Sequence, residues 1–330
     1  MTETGKEKPG IRVPARFIPV PQTVSKEAQA FLATMGEMPR TPEPDAADIA
    51  AWRAHLAAAG SQIAAMTAQA LEAYPSEITT HRLSATTLYE VVPHAAADQN
   101  EKRAIFYIHG GAYVMGGGIV AAHMAASTAG AARMRAFSID YRMPPDHPFP
   151  AGLDDTVEAY RWLLARFKPS NIAVCGASAG GGLAAAFVLK ARDLGLPLPG
   201  ACVLATPELD LAETGDSFET NDTIDVVLKG RLANSIRLYA GGHDVSDPYL
   251  SAINGDFSKG YPPTILTTGT RDLFLSNTVR MHRALRRAGV VAELHVFEAM
   301  PHGGFFGSAP EDGEVIAEQV RFLNENLGTQ

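Results

Sequence analysis

The chain changes its hydrophobic period near residue 82. Before that point, Pro9, Pro14, Pro19, Pro21, Pro39, Pro42 and Pro44 punctuate short apolar pieces such as Phe17-Ile18, so residues 1 to 45 read as an irregular arm with one short helix over 25–35. Ile49, Trp52, Leu56, Ile63 and Met66 then recur at roughly helical spacing, which predicts a long helix capped by Asp45, with Gly60 and Ser61 offering a break into two. Such a stripe is expected to pack against a core. From Arg82 the period shortens: Leu83, Ala85, Thr87, Tyr89 and Val91 alternate with their neighbours, as in a half-exposed strand.

Short runs apolar on both faces follow at 104–108, 136–140, 172–175, 201–204 and 264–268, and 292–298 alternates again. Between them, helices are predicted over 152–167, after residue 178, over 276–288 and, as an amphipathic closing element, over 312–327. Strands apolar on both faces that alternate with helices call for a largely parallel sheet covered on both sides. The polar stretch from 208 to 242 interrupts this alternation. It is inserted at the carboxyl ends of strands, where such sheets bind ligands, and reads as a lid. No internal repeat is present.

Composition narrows the picture. Of the 330 residues, 46% are hydrophobic and 19% charged, enough for a substantial core, and a net charge of -8 disfavours nucleic acid as a partner. Cys175 and Cys202 fall in apolar runs and are expected to be two buried thiols. The first ten residues, MTETGKEKPG, lack an apolar signal core and no run approaches ~18 apolar residues, so a cytoplasmic protein with no membrane span is expected.

The chemistry centres on Gly176-Ala177-Ser178-Ala179-Gly180, where a short apolar run meets an alanine-rich helical stretch. A G-x-S-x-G turn is sharp and strained, and its glycines let strand and helix approach while the hydroxyl is pushed out above the sheet edge. Serine needs a base, usually histidine, and the base needs a carboxylate to fix its tautomer. Asp272 after the 264–268 strand and His302 after the 292–298 strand supply both, on loops at the edge where Ser178 lies. An oxyanion hole requires main-chain N–H groups near the serine. Gly110, Gly111 and Ala112, after the 104–108 strand, and Ala179, just past the serine, are the candidates.

Together the blocks HGGAY, YRMPPDHPFPAGLDD, GASAGG, TPELDL, GTRDLFLSNT and MPHGGF resemble the bacterial hormone-sensitive-lipase-like esterases of the α/β-hydrolase superfamily over residues 80–327. The resemblance implies an α/β-hydrolase fold, a mostly parallel central sheet flanked by helices, with a helical cap. It makes Ser178 the nucleophile, Asp272 the acid and His302 the base, and Gly110, Gly111, Ala112 and Ala179 the oxyanion hole. It implies no cofactor, and no metal is expected either, since no histidine pair has a metal-ligand spacing. The expected substrates are small-molecule esters of short to medium acyl chains, and the expected oligomer a homodimer. The expected division is an arm with cap helices over 1–80, hydrolase core over 81–207, a cap insertion over 208–245 and the rest of the core over 246–330. Where the family usually carries Asp or Thr, this chain has Ala177, which leaves the reaction standing and the substrate open.

Several readings compete. The same triad serves lactone, carbamate or amide hydrolysis, and the fold also serves ligand-binding modules without chemistry. Glu298 is a rival for the acid, and Asp272 has the rival role of capping the helix that follows it. Among the other histidines, His109 is expected to hold the oxyanion loop through its side chain, and His55, His81, His94, His123, His147, His243, His282 and His295 to pack or face solvent. Asp140, Arg142 and Asp146 are expected to pair and fix their loop, Glu208 to hold water or polar substrate, and Phe17, Trp52, Phe218 and Leu228 are candidates for lining an acyl pocket.

Overall fold

The computed structural model describes residues 9 to 328. Eight strands form one sheet: β1 (Ser76–Arg82), β2 (Thr87–Pro93), β3 (Ala104–Ile108), β4 (Ala136–Asp140), β5 (Ile172–Ala177), β6 (Ala201–Ala205), β7 (Thr264–Gly269) and β8 (Ala292–Phe297). Their spatial order is β1-β2-β4-β3-β5-β6-β7-β8, parallel from β4 to β8 and antiparallel only where β2 meets β1 and β4. This is the mostly parallel sheet of an α/β hydrolase.

Alternation along the central strands splits the core in two. Phe106, Ile108, Val174 and Cys202 face α4 (Ala151–Leu164), α5 (Ala179–Asp193) and α8 (Leu275–Arg287). Ile105, Tyr107, Cys175 and Val203 face α3 (Ile119–Ala132) and α9 (Pro310–Asn326). Cys175 and Cys202, both buried and free, thus lie on opposite faces of neighbouring strands.

Two elements escaped the hydrophobic pattern. β1 is a polar edge strand with no fully buried residue, joined to β2 by a turn in which Leu83 N–H bonds Thr86 O at 3.0 Å. Its polar sequence hides it, and the boundary drawn at residue 80 falls inside it. α3 is alanine-rich and nearly uniform around its circumference, so it carries no stripe; seven of its residues are buried.

The arm contributes α1 (Lys26–Glu37) and α2 (Ile49–Ala73). Asp48, and not Asp45, caps α2, accepting from Ala51 N–H at 2.9 Å, while Asp45 shapes the preceding turn, its main-chain oxygen accepting from Trp52 Nε1 at 3.0 Å. α2 runs unbroken through Gly60 and Ser61. One mid-helix glycine costs only about 1 kcal/mol, and the helix is anchored at both ends. Trp52 is fully buried with Val114 and Leu238, and past the other end Tyr74 lies so close to Gly130 of α3 that a Cβ there would sit 2.4 Å from its ring. The side chain of Met66 lies outside those described.

α1 begins at Ser25, whose N–H and Oγ bond the two carboxylate oxygens of Glu311 at 2.7 and 2.8 Å, at the start of α9. The insertion after β6 holds α6 (Ser217–Thr220) and α7 (Ala233–Ala240). Arm and insertion are tied together: Glu43 accepts from the N–H groups of Asn234 and Ser235 at 3.1 and 3.2 Å, and Lys229 Nζ bonds the oxygens of Met35 and Met38.

Trp52→Ala removes the side chain that seats α2 against Val114. A loss of about 3 kcal/mol is expected, read as a lowered thermal midpoint and faster proteolysis within the arm. Unchanged melting and cleavage would show that the arm is held elsewhere.

Candidate active site

Ser178 sits between β5 and α5 with φ 57° and ψ -129°, a conformation that side chains rarely adopt. The turn is clamped from several sides. Ser178 N–H bonds Ala205 O at 3.0 Å, and Ser178 O accepts from Gly181, Gly182 and Glu208 N–H at 2.9, 3.1 and 3.0 Å. A side chain on Gly180 would sit 2.2 Å from Ile108 O, so only glycine lets α5 approach the end of β3.

Next to the elbow runs the loop after β3. A Cβ on Gly110 would lie 2.8 Å from Ala177 O and 3.2 Å from the Ser178 Cβ, so this loop touches the serine directly. Gly111, Ala112 and Tyr113 carry φ values of 122°, 52° and 63°, which turns the chain sharply beside the hydroxyl. His109 holds this loop from behind. Its Nδ1 lies 2.9 Å from Gly110 O, its ring stacks on Tyr141 at 4.2 Å, and Tyr141 Oη donates to His109 O at 3.1 Å. Burial, only partly opposed by the bond to Gly110, lowers its pKa to about 4, so the ring is neutral. The structural role expected for it agrees with this geometry.

Asp272 and His302 arrive on the loops after β7 and β8. These loops are knitted together: Arg271 N–H bonds Met300 O at 3.2 Å and Ala299 N–H bonds Thr270 Oγ1 at 2.8 Å. Asp272 is fully buried and receives Thr268 Oγ1 at 2.7 Å and Phe274 N–H at 2.9 Å. Its remaining contact is His302 Nδ1 at 3.0 Å, and His302 Nε2 lies 2.8 Å from Ser178 Oγ. An ionised carboxylate can only accept, so Nδ1 carries the proton and Nε2 is left to accept from the serine. Burial lowers the imidazole's pKa, but the Asp272 hydrogen bond and charge, helped by Asp225, outweigh it and leave His302 above its ordinary 6.5. The rival acid Glu298 is exposed and makes no bond to His302.

The structure brings all seven sequence-derived site residues to one sheet edge, and it corrects several neighbours. Asp140, Arg142 and Asp146 do not pair with one another. Arg142 makes a two-pronged bond to the buried Asp155 of α4, Asp140 accepts from Gly118 N–H at 2.8 Å, and Asp146 pairs with Arg53 of α2 at 2.7 Å. Trp52 and Phe218 are core, Leu228 is packed beside Phe218, and Phe17 is 88% exposed, so none of them is set apart as pocket wall. Asp225, in the insertion, was not anticipated. Its carboxylate accepts from Leu273 N–H at 2.9 Å and from His302 N–H at 3.2 Å. An acidic residue in a polar loop carries no sequence signal for such a contact.

Comparisons with known proteins agree with this geometry. A family profile described as alpha/beta hydrolase fold matches residues 105–306. An acetyl-hydrolase of Streptomyces hygroscopicus is 32% identical over 70% of this chain and 78% of its own. The crystal structure of an esterase E25 is 36% identical with a TM-score of 0.87, covering 96% of this chain and 99% of the other. That of an esterase from the bacterial hormone-sensitive lipase family is 33% identical with a TM-score of 0.76, covering 92% and 99%. The protein is a carboxylesterase-type hydrolase of the α/β-hydrolase fold. Within that class it belongs to the bacterial hormone-sensitive-lipase family. Among the described residues no helix is long and apolar enough to cross a membrane.

Glu208 is fully buried, and neither carboxylate oxygen has a hydrogen-bond partner among the described residues. Burial, with the charges of Glu213 and Glu43 adding to it, holds its pKa well above the usual range, which favours the neutral acid. A raised folded-state value means that stability is greatest below the unfolded value of about 4.3 and is lost as pH rises through the folded one. Glu208→Gln has no proton to lose, so calorimetry should find the variant gaining on the wild type as pH goes from 5 to 9, by at most about 1.4 kcal/mol per pH unit. A wild type that gains on the variant instead would mean an ionised, partnered Glu208.

Proposed function

We propose that the protein is a serine carboxylic-ester hydrolase that cleaves short to medium acyl esters through an acyl-serine intermediate. The observation that carries this reading is the continuous chain Ser178 Oγ to His302 Nε2 at 2.8 Å and His302 Nδ1 to Asp272 Oδ1 at 3.0 Å. An intact chain of this kind favours chemistry over passive ligand binding, and the acetyl-hydrolase relative supports a short acyl group.

In this mechanism His302 takes the proton of Ser178 as Oγ attacks the ester carbonyl, and Asp272 stabilises the imidazolium. The oxyanion is held by main-chain N–H groups of Gly110 and Gly111, with Ala112 beside them, and by that of Ala179 at the start of α5, where the helix dipole also favours negative charge. The C–O bond breaks as His302 returns the proton to the leaving alcohol. Water, deprotonated by His302, then cleaves the acyl-serine. α1, α2 and the insertion form a cap over this edge, with the core beginning at β1.

Ser178→Ala is expected to lower kcat on p-nitrophenyl butyrate by roughly ten-thousand-fold or more, and near wild-type turnover would sink the assignment. Because His302 must be neutral to act as base and its pKa is raised, kcat/KM should fall as pH drops through a midpoint above 6.5. A profile flat down to pH 5 would remove His302 from the role of base.

A further inference from the structure

Asp225 lies in the insertion, yet its carboxylate grips the site from behind. Oδ2 accepts from Leu273 N–H at 2.9 Å, in the loop of the acid, and from His302 N–H at 3.2 Å, in the loop of the base. Oδ1 accepts from Val227 and Leu228 N–H at 2.9 and 3.0 Å, in its own segment. One side chain therefore spans three segments of chain, and two of them carry Asp272 and His302. Nearby, Asn221 Nδ2 donates to Asp272 O at 2.8 Å and to Thr270 O at 3.2 Å, so the insertion holds the acid loop at a second point.

The segment that carries Asp225 is itself held by the arm. Val226 is buried with Ala28 and Leu32 of α1 and with Met300 and Phe305 of the base loop. Lys229 bonds the main-chain oxygens of Met35 and Met38 at the end of α1. The path from α1 through residues 225–229 to the two loops is continuous. If the strap lifts, the N–H groups of Leu273 and His302 lose their shared acceptor, and the 3.0 Å contact of Asp272 with His302 loses the tie that fixes the separation of their loops.

Resting on the triad reading above, we propose that Asp225 is a positioning residue that locks the acid and base loops together from the cap, so that the site is competent only while α1 and the strap are docked. It touches neither substrate nor reacting atoms. The titratable groups facing it are Asp272 from the acid loop and His302 from the base loop, while α1 presents apolar side chains. Burial and the Asp272 charge raise the Asp225 pKa above its ordinary value, against the opposing pull of His302 and the backbone amides. Its charge also favours the imidazolium of His302.

Asp225→Asn keeps the shape and removes the charge. Its kcat on p-nitrophenyl butyrate should fall roughly 10- to 100-fold with little change in KM, and the acid limb of kcat/KM should move to lower pH, because His302 loses a neighbouring negative charge. A folded variant with wild-type kcat, or a reduced kcat with an unmoved acid limb, overturns the proposal. Should the variant not fold, Lys229→Ala loosens the strap from α1 without touching the triad. A several-fold loss of kcat with a melting curve that stays cooperative is expected there, and full activity overturns the cap dependence. A fluorophosphonate probe keeps the two readings apart. If the wild type takes no label at Ser178, the triad reading fails; if it is labelled and Asp225→Asn is labelled at the same rate, only the lock fails.

Discussion

The site depends on a close approach of main chain to main chain at the end of the sheet. β3 and β5 are parallel neighbours, and α5 leaves β5 through a turn so tight that Gly180 lies against Ile108 O and Gly176 against Gly180 O. Such contacts fix where the hydroxyl of Ser178 stands, and they place the loop after β3 beside it without further adjustment. The positive φ of Ser178 is held by the bond its N–H donates to Ala205 O of β6 and by those its carbonyl accepts from the first turn of α5 and from Glu208 N–H. The strained residue is thus over-determined by its surroundings, which is the condition for strain to persist in a native state.

Around this rigid point the ionisable groups are ordered by what surrounds them. His302 and His109 are both buried histidines at the same edge, yet one has a raised pKa and the other a lowered one. The difference lies in their partners: His302 faces two carboxylates, whereas His109 faces a main-chain oxygen and a tyrosine ring. Glu208 and Asp225 are both raised, but to different degrees. Burial and the Asp272 charge act on Asp225 against N–H donors and a histidine, whereas Glu208 has no hydrogen-bond partner among the described residues and only the like charges of Glu213 and Glu43 added to its burial.

The hydrophobic pattern revealed the central strands almost to the residue, because a strand buried on both faces has an unbroken apolar run. The serine, its two partners and the glycine loop were legible for a related reason: each stands just past such a run, so the position of the run fixes the position of the site. β1 and α3 were invisible, one because an exposed edge strand has no apolar face, the other because uniform alanine has no stripe. Ion pairs were poorly anticipated as well. Arg142, Asp140 and Asp146 are close in sequence, which suggests a cluster, but the fold gives each a partner remote in sequence: Asp155 of α4, the Gly118 N–H before α3 and Arg53 of α2.

Asp225 belongs to a third kind of invisibility. The loops that carry Asp272 and His302 leave the N–H groups of Leu273 and His302 without a main-chain acceptor. Something buried must accept from Leu273 and His302 N–H, since leaving such donors unmet costs about 1–3 kcal/mol each. That acceptor is the carboxylate of Asp225, in the insertion after β6. The insertion thus completes the hydrogen bonding of the two loops that bring Asp272 and His302 together, through Asp225 to Leu273 and His302 N–H and through Asn221 to the oxygens of Asp272 and Thr270.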